Sequence, residues 1–341
     1  LPSFTIASRE KDAKNPAVEI LINSGWVVLG LVLLYYGAEW LVKGSGELAL
    51  RMGISPLVVG LTVVAFGTSA PELLVSVRAN MENPPQGDIA LGNVVGSNIC
   101  NLALVLGIAA VMKPFKIHSQ VLKREMPILI GATVVFVLML LDGKVARWEG
   151  MLLAAGVVFY TISSIWRGKK GEAVEIDLDI TDEEIAALKK AGKSLFLKDM
   201  AFILVGMGAL VFGADRLVFG GSEIAKALNV PAAVIALTLV AFGTSLPEIA
   251  TAVVASLKNE GDLVTGNAVG SCIFNLLAVI GITASIASLD AGSLERADLI
   301  VMAAVTLLMF VFMLTRKALS RGEGTLVLTG YLGYVVWLFL R

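Results

Sequence analysis

The chain has very little of what soluble chemistry uses. Among its 341 residues there is one histidine, His118, and two cysteines, Cys100 and Cys272. A single imidazole cannot build a His-based zinc centre, and it leaves Ser-His catalysis almost nothing to work with. Both cysteines sit in apolar runs, where they are expected to be small buried hydrophobes rather than a disulfide or metal framework. Charged residues make up only 16% and sum to −1. No basic field is available for nucleic acid, and no cofactor is expected.

What is present is apolar. Hydrophobic residues reach 57% and mean hydropathy is +0.83. Soluble domains sit near 45–50% apolar and about 25% charged, so the composition points to an integral membrane protein whose surroundings are a lipid bilayer. A hydrocarbon core about 30 Å thick needs roughly 20 apolar residues per helix. Candidate spans fall near 26–50, 57–82, 89–112, 126–142 and 149–166, then near 199–227, 232–258, 263–288, 297–315 and 325–340. The expected organisation is a polar leader over 1–22, a first five-helix unit over 23–166, a linker over 167–198, and a second five-helix unit over 199–341.

The two units are copies. "GLVLLYYGAEWLVKGSGELALRMGISPLVVGLTVVAFGTSAPE" (30–72) aligns without a gap on "GMGALVFGADRLVFGGSEIAKALNVPAAVIALTLVAFGTSLPE" (206–248). "GDIALGNVVGSNICNLALVLGI" (87–108) then matches "GDLVTGNAVGSCIFNLLAVIGI" (261–282), and Glu149-Gly150 and Glu323-Gly324 open the last helix of each unit. A repeat of this length signals duplication. Five is odd, so the second copy enters the membrane from the opposite side. Such inverted repeats are typical of secondary transporters, with the site near the midplane.

Lys and Arg concentrate in the loops after helices 1, 3, 5, 7 and 9, which predicts that both termini lie outside and 167–198 in the cytoplasm. In that linker, Thr181, Glu184 and Gly192 predict a short capped helix. The nearby Asp177, Asp179 and Asp182 do not have EF-hand spacing, so a solvated linker is expected and Ca²⁺ regulation is the alternative.

"VVAFGTSAPELLVSV" (63–77) and "LVAFGTSLPEIATAV" (239–253) carry the chemistry. Ala65, Thr68, Ser69 and Glu72 share a helix face by their spacing, as do Ala241, Thr244, Ser245 and Glu248. Pro71 and Pro247 have no N–H and clash with the carbonyl four residues back. The helices are therefore expected to open there and to free carbonyls over 65–68. In lipid such groups survive only in protein or beside a polar cavity. Carboxylate, hydroxyl and carbonyl are hard oxygen ligands, suited to Ca²⁺ and Na⁺. Asn93, Ser97 and Asn101 recur at steps of four, as do Asn267, Ser271 and Asn275, with Gly92, Gly96, Gly266 and Gly270 beside them for close helix approach. Asn93 and Asn267 are candidates equally for ligands and for interhelical hydrogen bonding. Glu47 and Glu223 are expected at helix ends. Glu39 and Asp215 are expected to pair with Lys43 and Arg216, or else to line an access path.

These paired motifs resemble the two α-repeats of the sodium/calcium exchanger family of cation/calcium antiporters, across both halves of the chain. The resemblance implies ten transmembrane helices with broken helices 2 and 7, alternating access, and Ca²⁺ moved against a Na⁺ gradient by a transporter rather than an enzyme. It implies Glu72 and Glu248 as central acidic ligands. Thr68, Ser69, Thr244 and Ser245 would add oxygens, Ala65 and Ala241 backbone carbonyls, and Ser97, Asn101, Ser271 and Asn275 would complete the ion positions. Many members carry aspartate where Asn275 stands, and some use it for K⁺; the neutral amide here predicts K⁺ independence. An H⁺/Ca²⁺ exchanger is the alternative transporter. An intramembrane carboxylate enzyme and a passive channel are alternatives of other classes. A chain with no long soluble stretch beyond 167–198 fits a prokaryotic plasma (inner) membrane.

Overall fold

In the computed structural model, residues 16–170, 193–228, 241–292 and 294–340 are described. The first helix, α1, spans Pro16–Met52. It reaches back into the segment expected as a polar leader, because Pro16 can open a helix and Glu19 lies in its first turn. Next, α2 is two half-helices, Pro56–Thr68 and Ala70–Met81, bent by 41°. Then follow α3 (Gly87–Met112), α4 (Val121–Asp142), α5 (Arg147–Lys170) and α6 (Lys193–Ala227). Of α7, Ala241–Gly243 and Leu246–Leu257 are described; its first half, within 229–240, lies outside the described residues. The chain ends with α8 (Gly261–Ile286), α9 (Arg296–Arg316) and α10 (Arg321–Leu340). Among the described residues eight helices are long and apolar enough to cross a bilayer, and α2 makes a ninth as a broken span. The expected capped helix at Thr181–Gly192 and the Asp177–Asp182 cluster lie outside the described residues.

Local chemistry explains the helix starts. Ser55 caps α2 by accepting the Val58 N–H at 3.3 Å, with Pro56 at the first position. The Ala146 N–H donates to Glu149 and the Ser320 N–H to Glu323, each at 2.8 Å. The matched Glu-Gly pairs thus open α5 and α10 as expected. Two short antiparallel ladders close the ends: β1 (Phe115–Lys116) pairs with β4 (Ala318–Leu319), and β2 (Lys144–Val145) with β3 (Leu289–Asp290). Each joins one repeat to the other.

Burial sorts the helices. In α3 and α8, 83% and 78% of the apolar window is buried, against 11–39% in the other full-length spans. The duplicated asparagine-bearing helices therefore form the centre, with the first half of α2 buried against α8. Outside them, α1 and α6 cross backbone against backbone. A Cβ at Gly30 would stand 2.7 Å from the Gly213 carbonyl, and one at Gly206 2.8 Å from the Gly37 carbonyl. Such approach is the small-residue mode of helix packing in membranes.

A second pair of matched contacts holds the outer helices. The Tyr160 hydroxyl on α5 donates to Glu125 on α4 at 2.9 Å, and the Tyr334 hydroxyl on α10 donates to Asp298 on α9 at 2.8 Å. Glu125 is fully buried. Losing a partner from a buried carboxylate costs about 1–3 kcal/mol. Tyr160→Phe is accordingly expected to lower the unfolding temperature in detergent, and an unchanged melt would show that the contact contributes nothing.

Candidate functional site

The break in α2 is narrower than the sequence predicts. Proline at 71 removes its own N–H, but Ser69 still donates to the Ala65 carbonyl at 3.0 Å and Leu73 to the Ser69 carbonyl at 3.2 Å. The expectation of a freed Ala65 carbonyl is therefore corrected: it retains a backbone donor, and the Thr68 hydroxyl, 3.5 Å away, has its one proton better placed for Asn267. The physical reason is that residue 65 pairs with residue 69, not with the proline. The second copy differs. Ser245 donates to the Phe242 carbonyl at 3.2 Å, a tighter turn.

The two breaks bring their polar faces onto α3 and α8. Glu72 and Glu248 are both fully buried. The Ser97 hydroxyl donates to Glu72 Oε1 at 3.2 Å, and Ser245 Oγ stands 3.5 Å from Ser97 Oγ. Thr68 reaches across the repeats, donating to Asn267 Oδ1 at 3.1 Å, and lies 3.3 Å from Ser271 Oγ. Thr244 makes the matching contact to Asn93 Oδ1 at 3.5 Å. Glu72 thus stands against Ser97 of its own copy and, one step on, Ser245 of the other.

Asn93 and Asn267 hold helices together, but unequally. The Asn93 NH₂ donates to the Glu72 carbonyl at 3.2 Å and to Ser76 Oγ at 3.1 Å. At the place matching Ser76 the second copy has Ala252, and the Asn267 NH₂ has no partner. On α8, Gly266 and Gly270 do admit α2: a Cβ at Gly266 would stand 2.7 Å from the Leu57 carbonyl. Around Gly92 and Gly96 no described residue comes so near; the matching half of α7 lies outside the described residues.

The decisive chemical feature is a set of buried oxygens without hydrogen-bond partners. Ser69 Oγ, Glu72 Oε2, Asn101 Oδ1, both Glu248 carboxylate oxygens and Asn275 Oδ1 are in this state. Buried polar groups are ordinarily paired, and each orphan costs about 1–3 kcal/mol. Their concentration beside two carboxylates suits a hard cation.

Other expectations divide. Glu39 is met by Lys258 at 3.5 Å rather than by Lys43, whose ammonium lies over the Phe202 ring. Asp215 does pair with Arg216, at 2.8 Å, and also lines a cleft with Gly67, Ala70 and Met207 beside the break in α2. Glu223 bonds Lys226 at 2.6 Å. Arg51 grips the buried Asp199 at 2.6 Å. Cys100 and Cys272 are buried free thiols. Asn98 was outside the expected set. It lies one residue past Ser97 on another face, so helical spacing gives no sign of it, yet it is buried against both Asn275 and Cys272.

The sodium/calcium exchanger protein family model matches residues 22–166 and again 198–340, one match per repeat. The putative antiporter CaxA of Alkalimonas amylolytica is 36% identical over 94% of this chain and 99% of its own. The sodium/calcium exchanger MaX1 of Methanosarcina acetivorans is 31% identical over 94% and 99%, and the inner membrane protein YrbG of Escherichia coli 35% over 94% and 96%. The solved structure of the sodium-calcium exchanger NCX_Mj, soaked with 10 mM Na⁺ and zero Ca²⁺, superposes with a TM-score of 0.80 at 30% identity, covering 93% of this chain and 99% of that one.

Proposed function

The chain belongs to the sodium/calcium exchanger family, and from that premise we propose that it exchanges Na⁺ for Ca²⁺ by alternating access without requiring K⁺. Family membership makes it a multi-pass membrane protein and a cation/Ca²⁺ antiporter, not an enzyme. The observation that carries the finer reading is the group of unpartnered neutral oxygens beside Glu72 and Glu248. A proton would need only the carboxylates. Hydroxyl and amide oxygens are useful to a cation that exchanges its hydration shell for them.

In this reading Glu72 and Glu248 balance one Ca²⁺ or two Na⁺. The hydroxyls of Thr68, Ser69, Ser97, Thr244, Ser245 and Ser271, the amides Asn101 and Asn275, and the Ala65 and Ala241 carbonyls supply neutral ligation. The Ala65 carbonyl would act through the lone pair left by its backbone donor. Two ionised carboxylates in an empty site would be costly to carry through a bilayer, so the site crosses readily only when loaded. That couples the two fluxes. The Lys/Arg bias of the loops supports a topology with 167–198 in the cytoplasm and both termini outside, in a prokaryotic inner membrane.

The test is ⁴⁵Ca²⁺ uptake into proteoliposomes under imposed Na⁺, K⁺ or pH gradients. Na⁺-driven uptake of equal rate with and without K⁺ is expected. Uptake driven by pH and indifferent to Na⁺ would establish the H⁺/Ca²⁺ alternative, and strict K⁺ dependence would overturn the part given to the neutral Asn275.

A further inference from the structure

Resting on this site as a Ca²⁺-binding one, we propose that Asn98 is a positioning residue that locks the Asn275 amide with its carbonyl oxygen available to the cation. Asn98 is 1% exposed. Its Nδ2 donates across the repeats to the Cys272 backbone carbonyl at 3.4 Å. A carbonyl only accepts, so the end of Asn98 facing it must be the NH₂. The other end, Oδ1, then faces Asn275 and accepts from its Nδ2 at 3.1 Å. The orientation of Asn275 is thereby set in turn: its NH₂ is committed, and its Oδ1 is the buried group left without a partner. The stretch that Asn275 opens, 275–279, packs against Ala70–Met81, the half-helix bearing Glu72. Turned the other way, the same amide would direct two N–H dipoles at a cation.

The second copy lacks this device. Where the first repeat has Asn98, the second has Cys272. A thiol supplies one weak donor, spent on the Asn98 carbonyl at 3.8 Å, and it cannot hold an amide by both ends. Asn101, the counterpart of Asn275, meets the Cys272 thiol, but neither of its amide atoms has an oxygen or nitrogen partner. Two residues that match in sequence therefore differ in role: Asn275 is a fixed oxygen donor, and Asn101 is held only by a weak sulfur contact.

Ca²⁺ binding to the purified full-length protein, by calorimetry with CaCl₂ alone, tests this. Asn98→Cys copies the second repeat into the first. It is expected to weaken Ca²⁺ binding about tenfold, the scale of one buried hydrogen bond, with little change in the unfolding temperature without Ca²⁺. In an Asn275→Ala background the same substitution is expected to have no further effect, because the group it positions is gone. Equal weakening in both backgrounds would show a packing role and overturn the proposal, as would no weakening in either. If Asn98→Cys does not fold, Cys272→Asn tests the device at the mirror position. It should lock Asn101 and tighten Ca²⁺ binding several-fold, and unchanged or weaker binding would overturn the proposal. Binding is read directly, so a protein that binds Ca²⁺ but shows no Na⁺-driven flux refutes the exchange reading and not this one.

Discussion

Glu72→Gln and Glu248→Gln are each expected to abolish Ca²⁺ exchange while the protein still folds. Glutamine keeps the size of the side chain, and at position 72 its oxygen can still accept the Ser97 hydroxyl, now at 3.2 Å. What is lost is one of two charges that balance Ca²⁺. A carboxylate and a divalent cation 4 Å apart at an effective dielectric near 20 interact by about 8 kcal/mol. With about half of that offset by the desolvation that glutamine avoids, affinity should fall by roughly three orders of magnitude. Stability in the absence of Ca²⁺ should move little or rise, since an unpaired buried charge is itself costly. Two measurements check this: ⁴⁵Ca²⁺ flux in proteoliposomes, and the rise in unfolding temperature on adding Ca²⁺. Both should vanish in either variant. Normal exchange by one of them would remove that glutamate from the site.

A single methyl at Gly270 is expected to be nearly as damaging. A Cβ there would stand 2.8 Å from both Leu61 Cα and Ala65 Cβ and 3.0 Å from the Leu61 carbonyl. Those are backbone and stub atoms of α2, which cannot rotate away as the tip of a long side chain can. Accommodating the added methyl must therefore push α2 off α8. The shift falls beside Ser271 and Thr68, which lie 3.3 Å apart. Misplacing functional groups by about 1 Å can cost on the order of a hundredfold in rate, and overpacking adds about 1–3 kcal/mol of instability. Gly131→Ala is the control, since nothing lies within 4 Å of a Cβ at that glycine. Flux lost in Gly270→Ala and kept in Gly131→Ala is the expected pair of results. Equal flux in both would mean that the α2–α8 contact is looser than described.

Membrane class, duplication and the inverted arrangement were legible because each follows from a one-dimensional property. Apolar run length reports whether a segment can span a bilayer. Repeated strings report repeated units, and an odd helix count per unit reverses the second. The carboxylate and hydroxyl face was legible for the same reason: residues spaced by three, four and seven share a helix face whatever surrounds it. The linker readings at Asp177–Asp182 and Thr181–Gly192 have no structural counterpart among the described residues.

What spacing cannot carry is contact between segments far apart in sequence. Lys258 rather than Lys43 meets Glu39, because α7 returns beside α1. The π-helical turns at Cys100–Val105 and Asn275–Val279 widen α3 and α8 where Asn101 and Asn275 sit, and no residue type announces such a turn. Ala65 keeps its backbone donor because that donor is Ser69, two residues before the proline. The two copies are nearly the same string, yet Asn275 bonds the amide of Asn98 while Asn101 meets only the thiol of Cys272. Which oxygens share a helix face with each glutamate could be read along the chain. Which of them are spoken for depends on the packing of one repeat against the other, because a hydrogen bond is set by where a neighbour stands and not by how many residues away it is.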